Sequence, residues 1–333
     1  MSPSDSHVLF TRSVRRRNFI GFPFLVSSPP ETCALIASQA RTFSATAGFS
    51  TALVLVEQPL ESIGLFRERE WLPERPVSFP GKQNFKLLFV GNDESEHALF
   101  GEIEHWTQIK TRRGLPDAVD SADALTEKKA LFSHSPGYGF LTSNPSFAGP
   151  ALQLECGLHL PALNASRRIH AVQQALAVMG FELQPLSLRT PGTAEAGFFR
   201  IVSRGGMKFS EEVLYHRFKR QIDTVLSAEK EAMEKWTERE KNQLQDRLHH
   251  SLQSLQKAET LDYSAFLNLV SLVRVGAYSG LFPLGLLEPL EELRVQTLPF
   301  HLLASSPKNQ DFDIDILRAH TVKTRLQNTG LTV

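Results

Sequence analysis

Four arginines, Arg12, Arg15, Arg16 and Arg17, crowd the stretch VLFTRSVRRRNF, residues 8 to 19. A guanidinium is planar, permanently charged and carries its donors in a fork, so such a cluster suits the oxygens of a phosphate. The same residues would serve equally as solvated surface charge or as local ion pairs, which contribute little. A second charged pair is Asp315 with Arg318. At i, i+3 spacing on a helix the two would pair with each other. Other polar clusters promise less. TSNPSFAGPALQLECGLHLPAL, residues 142 to 163, is a turn carrying Pro145 and Gly149 that runs into an apolar segment, with no activated nucleophile and no phosphate clamp. His249 and His250 are adjacent, so on a helix they point apart, and no metal site is expected. Cys156 lies in an apolar stretch and reads as an inert core thiol, and Trp106 and Trp236 read as packing residues.

The chain that must position these groups has 333 residues, 41% hydrophobic and 22% charged, enough for one large core and a second domain. Thirty-six basic residues balance thirty-six acidic ones. No global field therefore draws nucleic acid or an anionic membrane, and any phosphate site must be local. The only cysteines, Cys33 and Cys156, are too few for a disulfide framework and fit a reducing cytoplasm. Arg12 and Arg15 to Arg17 ahead of NFIGFPFLV copy a secretory signal superficially, but the apolar run is short and holds Pro23. Neither a signal peptide nor a membrane span is expected.

Along the chain, TALVLVEQ (51 to 58), FKLLFVGN (85 to 92) and GFFRIVSR (197 to 204) read as strands, and RRIHAVQQALAVMGF (167 to 181) as a helix capped by Asn164 or Ser166 and stopped at Gly180. After Gly205 the pattern turns helical. Residues 209 to 259 carry Val213, Phe218, Ile222 and Val225 at helical spacing, 261 to 282 are apolar enough to be buried, and 313 to 327 run from acidic to basic as the helix dipole prefers.

The order of segments resembles the bacterial protein arginine kinases, members of the ATP:guanidino phosphotransferase family that includes creatine and arginine kinases. VLFTRSVRRRNF, FVGNDESEH (89 to 97), GYGFLTSNPSFAG (137 to 149) with LHLPAL (158 to 163), FFRIVSRGGMKFSEEV (198 to 213) and LVRVGAYSGLF (272 to 282) carry it. The resemblance implies an α+β fold, with a catalytic-type domain at 1–226 built on an antiparallel sheet flanked by helices. An all-helical dimerisation and regulatory domain would follow at 227–333. It also implies ATP and magnesium as cofactors if the protein is active, with arginines on the phosphates, a glutamate positioning the guanidinium and a thiol beside it.

Carried over by position, those groups are mostly replaced. The early Ser-Arg-x-Arg matches Thr11, Arg12, Ser13 and Val14, so one nucleotide-binding arginine is kept as Arg12 and the second is valine. Arg17 also matches a family position. Asn-Glu-Glu-Asp-His-x-Arg, aligned on His97, puts Ser95 at the catalytic glutamate and Leu99 at the third arginine; a slip of one residue brings Glu94 or Glu96 to the glutamate's place. Cys-Pro-Thr-Asn-x-Gly-Thr-Gly-x-Arg puts Asn144 at the thiol and Gln153 at the fourth arginine. Gln184 takes the fifth, and Glu195 is the remnant of the substrate loop. His97 and His159 match family positions but read as structural. Arg15, Arg16, Arg189, Arg200 and Arg204 lie near enough to substitute for lost arginines. In the helical domain, Arg-Asp-x-x-Arg-Ala matches 314 to 319, which implies phosphoarginine binding by Asp315 and Arg318.

The resemblance therefore leads to three readings, in order. The first is a degenerate kinase acting as a cytoplasmic regulatory or binding subunit, as a homodimer or with a partner kinase subunit. Its setting would be protein quality control involving arginine-phosphorylated proteins and an unfoldase and protease complex. The second is an active protein arginine kinase with a rearranged site, and the third a phosphoarginine-binding adaptor. No nucleic acid or membrane partner is expected.

Overall fold

The computed structural model describes residues 5–73, 86–91, 95–114, 129–187, 190–205, 209–306 and 313–328. The strands are β1 (Val8–Arg17), β2 (Phe49–Val54), β3 (Leu87–Gly91), β4 (Glu96–Phe100), β5 (Trp106–Arg112), β6 (His134–Ser135), β7 (Gly139–Phe140), β8 (Leu152–His159), β9 (Phe181–Pro185) and β10 (Phe198–Ser203). β6 and β7 form a small hairpin; the others make one sheet in the order β2-β3-β4-β5-β1-β8-β10-β9, every described pairing antiparallel. The helices are α1 (Pro30–Thr46), α2 (Leu60–Glu68), α3 (Pro161–Ala165), α4 (Ile169–Val178), α5 (Glu211–Lys257), α6 (Tyr263–Tyr278), α7 (Leu287–Gln296), α8 (Pro299–Ser305) and α9 (Ile314–Asn328). The expected α+β architecture is the one observed: an antiparallel sheet flanked by helices, then a helical region.

Strand alternation sorts β1 into two sets. From Phe10 onward, past an irregularity in the pairing with β8, Thr11, Ser13, Arg15 and Arg17 point to one face, and Phe10, Arg12, Val14 and Arg16 to the other. Over the first face packs α1, whose Phe43 meets Trp106 edge-on at 4.9 Å in an aromatic cluster with Phe19, Phe89 and Phe132. The N-terminus of α5 reaches the same face: Ser210 caps it by accepting from Val213 N–H, and Glu211 in its first turn pairs with Arg15 at 3.3 Å. The expected boundary at 226/227 falls inside α5, and one buried cluster holds Phe218, Ile222 and Val225 together with Met233, Leu244 and Leu252.

Two local expectations change. TALVLVEQ leaves the sheet at Val54 and continues as a 3-10 turn over Leu55–Glu57. Neither Asn164 nor Ser166 caps α4: Arg168 holds the capping position without a side-chain bond. Asn164 Nδ2 instead donates to the carbonyls of Ala194 and Glu195, and Ser166 Oγ to that of Ala162, because both residues belong to the end of α3. Glu229 of α5 supplies what α3 lacks, accepting N–H bonds from Ala162 and Leu163 at 2.7 and 2.8 Å.

The second face of the sheet is roofed by a contact between distant parts of the chain. Glu68 at the end of α2 accepts from the backbone N–H groups of Phe300 and His301, both at 2.9 Å, in the first turn of α8. Above this bond Gly64 lies flat against Phe300, so closely that an added Cβ would sit 2.4 Å from the ring. Gly64→Ala is therefore expected to lower the unfolding free energy by about 1–3 kcal/mol through forced displacement of the ring, read as a lower midpoint in urea.

Candidate functional site

Strand register collects the positions of interest. Val14 faces Gln153 on β8, Arg12 faces Glu155, Thr107 of β5 faces both Arg16 and Leu99, and Gln184 on β9 faces Arg200. Residues directly opposite in a ladder share a face. All five positions carried over as phosphate-binding arginines, 12, 14, 99, 153 and 184, thus lie on the sheet face roofed by α2 and α8. Only the first is an arginine. A cavity of about 830 Å³ covers this face, with Arg12, Val14, Leu99 and Gln153 in its floor and Asp315 and Arg318 of α9 in its opposite wall. Two sites expected separately are therefore parts of one chamber.

Arg12 is already occupied. Its Nη1 lies 2.7 Å from Glu70 and 3.4 Å from Glu155, its Nε donates to Thr111 Oγ1, and its guanidinium stacks on Phe10. Burial alone would push the guanidinium's pKa down and that of Glu70 up, but each partner's charge reverses the effect, so both are held ionised. Glu155 further meets Arg200 Nη1 at 4.0 Å and accepts from Gln153 Nε2. Glu70 sits in left-handed backbone at φ 55°, a conformation that costs a non-glycine residue about 1 kcal/mol or more and that the pair with Arg12 helps to hold.

Arg17 does not join Arg12, because five residues along a strand reverse the face. It is buried beneath the sheet, 3.6 Å over the Phe140 ring, donating to the carbonyls of Arg16 and Pro150 and 3.7 Å from Glu211. The structure thus places Arg17 away from the chamber that Arg12 lines. Asn144, at the thiol position, caps its own turn by accepting from Ser146 N–H and Oγ, and does not line the cavity. Ala151, at the position of the motif's last glycine, has a left-handed φ of 49° of the kind glycine adopts readily.

Ser95 is exposed and contributes its backbone carbonyl to Thr111 N–H. Glu96 points to the α1 face, where it accepts from Gln108 Nε2. Glu94 and Arg189 lie outside the described residues. Glu195 is exposed and away from the cavity, offering only its carbonyl to Asn164. Arg204 makes a solvated pair with Glu182. Arg318 is buried as a strut, its Nε and Nη1 donating to the carbonyls of Thr297 and Leu261 while Nη1 also pairs with Asp315.

The two histidines matched by position, His97 and His159, are both buried. His97 is buried near Trp71, and burial with the charge of Arg12 lowers its pKa to about 3, so it stays neutral. His159 bridges Tyr278 and Ser271 at 3.0 and 2.8 Å. Cys156 is buried and its thiol pKa is pushed up by burial, as befits an inert core residue.

The two carboxylates on Arg12 were not among the residues singled out from the sequence. Glu155 had a signal, standing two residues from position 153 on a strand and hence on the same face. Glu70 had none, since it reaches Arg12 only through the path of α2.

The chain matches the model of the family described as ATP:guanido phosphotransferase, C-terminal catalytic domain, over residues 113–232. It matches the one described as Protein-arginine kinase McsB C-terminal domain over residues 241–332. It is similar to the protein-arginine kinase of Moorella thermoacetica, 27% identical over 97% of this chain and 95% of the relative. A Clostridium novyi protein-arginine kinase is 23% identical over 98% and 97%. Among solved structures, the duplicated taurocyamine kinase of Schistosoma mansoni aligns with a TM-score of 0.56 at 14% identity, over 80% of this chain and 40% of that one. Lombricine kinase aligns with a TM-score of 0.53 at 15% identity, over 68% of each. At such identities the structural likeness bears on fold alone.

Proposed function

Because the chain is a divergent member of the ATP:guanido phosphotransferase family with the C-terminal domain of protein-arginine kinases, we propose that it is a degenerate kinase that has become a binding or regulatory subunit. The observation that carries this reading is the closed ion triad of Arg12, Glu70 and Glu155, in which the one retained arginine is engaged by the protein's own carboxylates. Valine and leucine at two further arginine positions offer no donor, and the glutamines at positions 153 and 184 carry no charge. Each lost charged bond is worth roughly 1.5–3 kcal/mol, so four together approach or exceed the ~8 kcal/mol of a micromolar complex.

Nor do the residues fit magnesium or an incoming guanidinium. Among the described residues no group of three or more metal-ligating side chains is present. Those carboxylates that line the chamber are engaged within the protein: Glu68 by α8, Glu70 and Glu155 by Arg12, Glu102 by Lys86 and Asp315 by Arg318. Retention of shape without chemistry suits a protein that binds a partner, such as another kinase subunit, a second copy of itself, or an arginine-phosphorylated protein bound for an unfoldase and protease. No described helix is long and apolar enough to cross a membrane.

Calorimetric titration with Mg-ATP, followed by an arginine-phosphorylation assay, tests the reading. No heat and no transfer are expected. Micromolar binding with turnover would overturn it in favour of a rebuilt active site.

A further inference from the structure

Arg16 differs from the other little-exposed arginines of the chamber. Arg12, Arg200, Arg294 and Arg318 each have a carboxylate within 4.0 Å. Among the described residues Arg16 has none there: its guanidinium stacks on Phe147 at 4.1 Å, its Nη2 donates to the Gln153 side chain at 2.7 Å, and its Nη1 finds no hydrogen-bond partner. Burial lowers its pKa, while Glu155 and Glu104 act against that from beyond pairing distance. A guanidinium stays charged nonetheless.

A half-buried guanidinium without a counter-charge is costly, and the group that would complement it is an anion. The walls beside it are apolar: Val14, Leu72, Leu99, Ile103 and Ile109 line the same chamber. The motif that carries the family's early arginines does not include position 16, so this group stands apart from the closed triad at Arg12.

We infer that the chamber is a binding site for a small organic oxyanion, its phosphate or carboxylate held by Arg16 with Gln153 and its hydrocarbon part against Leu72, Leu99 and Ile109. One guanidinium with no carboxylate of its own matches one anionic group. A polyphosphate would need several. The inference goes beyond the loss of kinase chemistry and survives either outcome of the Mg-ATP titration, because it requires Arg16 rather than Arg12.

The test titrates phenyl phosphate, benzoate and inorganic phosphate into the full-length protein by calorimetry, with the thermal midpoint as a second readout. Phenyl phosphate or benzoate should bind at least about tenfold more tightly than inorganic phosphate, given the apolar wall. Arg16→Met should abolish binding, and Arg67→Met, at an exposed arginine of the same chamber, should leave it intact. If Arg16→Met does not fold, Arg16→Lys keeps the charge but loses the fork and should weaken binding about tenfold or more. Tighter binding of phenyl phosphate than benzoate would assign a phosphate monoester, and the reverse a carboxylate. No binding of either, or binding that Arg16 substitution leaves unchanged, would overturn the inference.

Discussion

Arg12→Met is expected to lower the free energy of unfolding by about 3 kcal/mol or more, the usual consequence of removing one member of a buried ion pair and stranding the other. Two carboxylates would be stranded here. Glu70 and Glu155 lie against the same guanidinium nitrogen, and the next arginine, Arg200, is 4.0 Å from Glu155. The direction separates the two ways of reading this arginine. In a site that gathers cations for an absent phosphate, the cations repel one another, and removing one is neutral or stabilising. In a closed triad the same substitution destabilises. Urea unfolding followed by circular dichroism gives the answer, and the triple variant Arg12→Met, Glu70→Gln, Glu155→Gln should recover most of the loss because no unpaired charge remains. An unchanged midpoint for Arg12→Met alone would mean that the arginine is available to a ligand.

The triad also marks how far the sequence was legible. Helical spacing along 209 to 259 announced α5 and the apolar run at 197 to 204 announced β10, since local pattern and burial coincide there. Strand alternation, once applied to β1 and β8, holds both the correction for Arg17, whose odd spacing from Arg12 places it under the sheet, and the signal for Glu155. What no local pattern encodes is the dock of α2 on α8. It depends on Glu68 meeting a helix more than 230 residues away and on Gly64 fitting a phenylalanine ring. That dock closes the chamber, brings Glu70 to Arg12, and joins the sheet-face positions to Asp315 and Arg318. The chemistry of each residue was readable; the pairing that cancels it was tertiary.

Acidification is expected to unfold the protein cooperatively between about pH 5 and pH 4, with loss of stability beginning near pH 6.5. His7, His97 and His105 are buried, and burial chiefly lowers their pKa values to about 4, 3 and 4. His105 shows why protonation is unwelcome: its Nδ1 accepts from Phe19 N–H while Nε2 donates to the Pro23 carbonyl, so a proton on Nδ1 breaks the first bond. An unfolded histidine titrates near 6.5. The unfolded chain therefore takes up protons first as pH falls, so stability present above 6.5 is lost on the way down, by roughly 3–5 kcal/mol for each histidine. One group opposes this. Glu229, pushed up to about 7 chiefly by burial, holds its proton more tightly in the folded state, so its contribution is lost as pH rises from about 4.5 to 7 and regained, by about 3 kcal/mol, on acidification. Three histidines outweigh one glutamate, leaving a net loss of several kcal/mol, comparable with the whole stability of a typical domain. Thermal midpoints from pH 7.5 to 4 should fall accordingly, and His97→Phe, which keeps an aromatic ring beside Trp71 without a titrating nitrogen, should flatten the acid limb. A midpoint that holds or rises toward pH 4.5 would mean that Glu229 rather than the histidines governs the acid response.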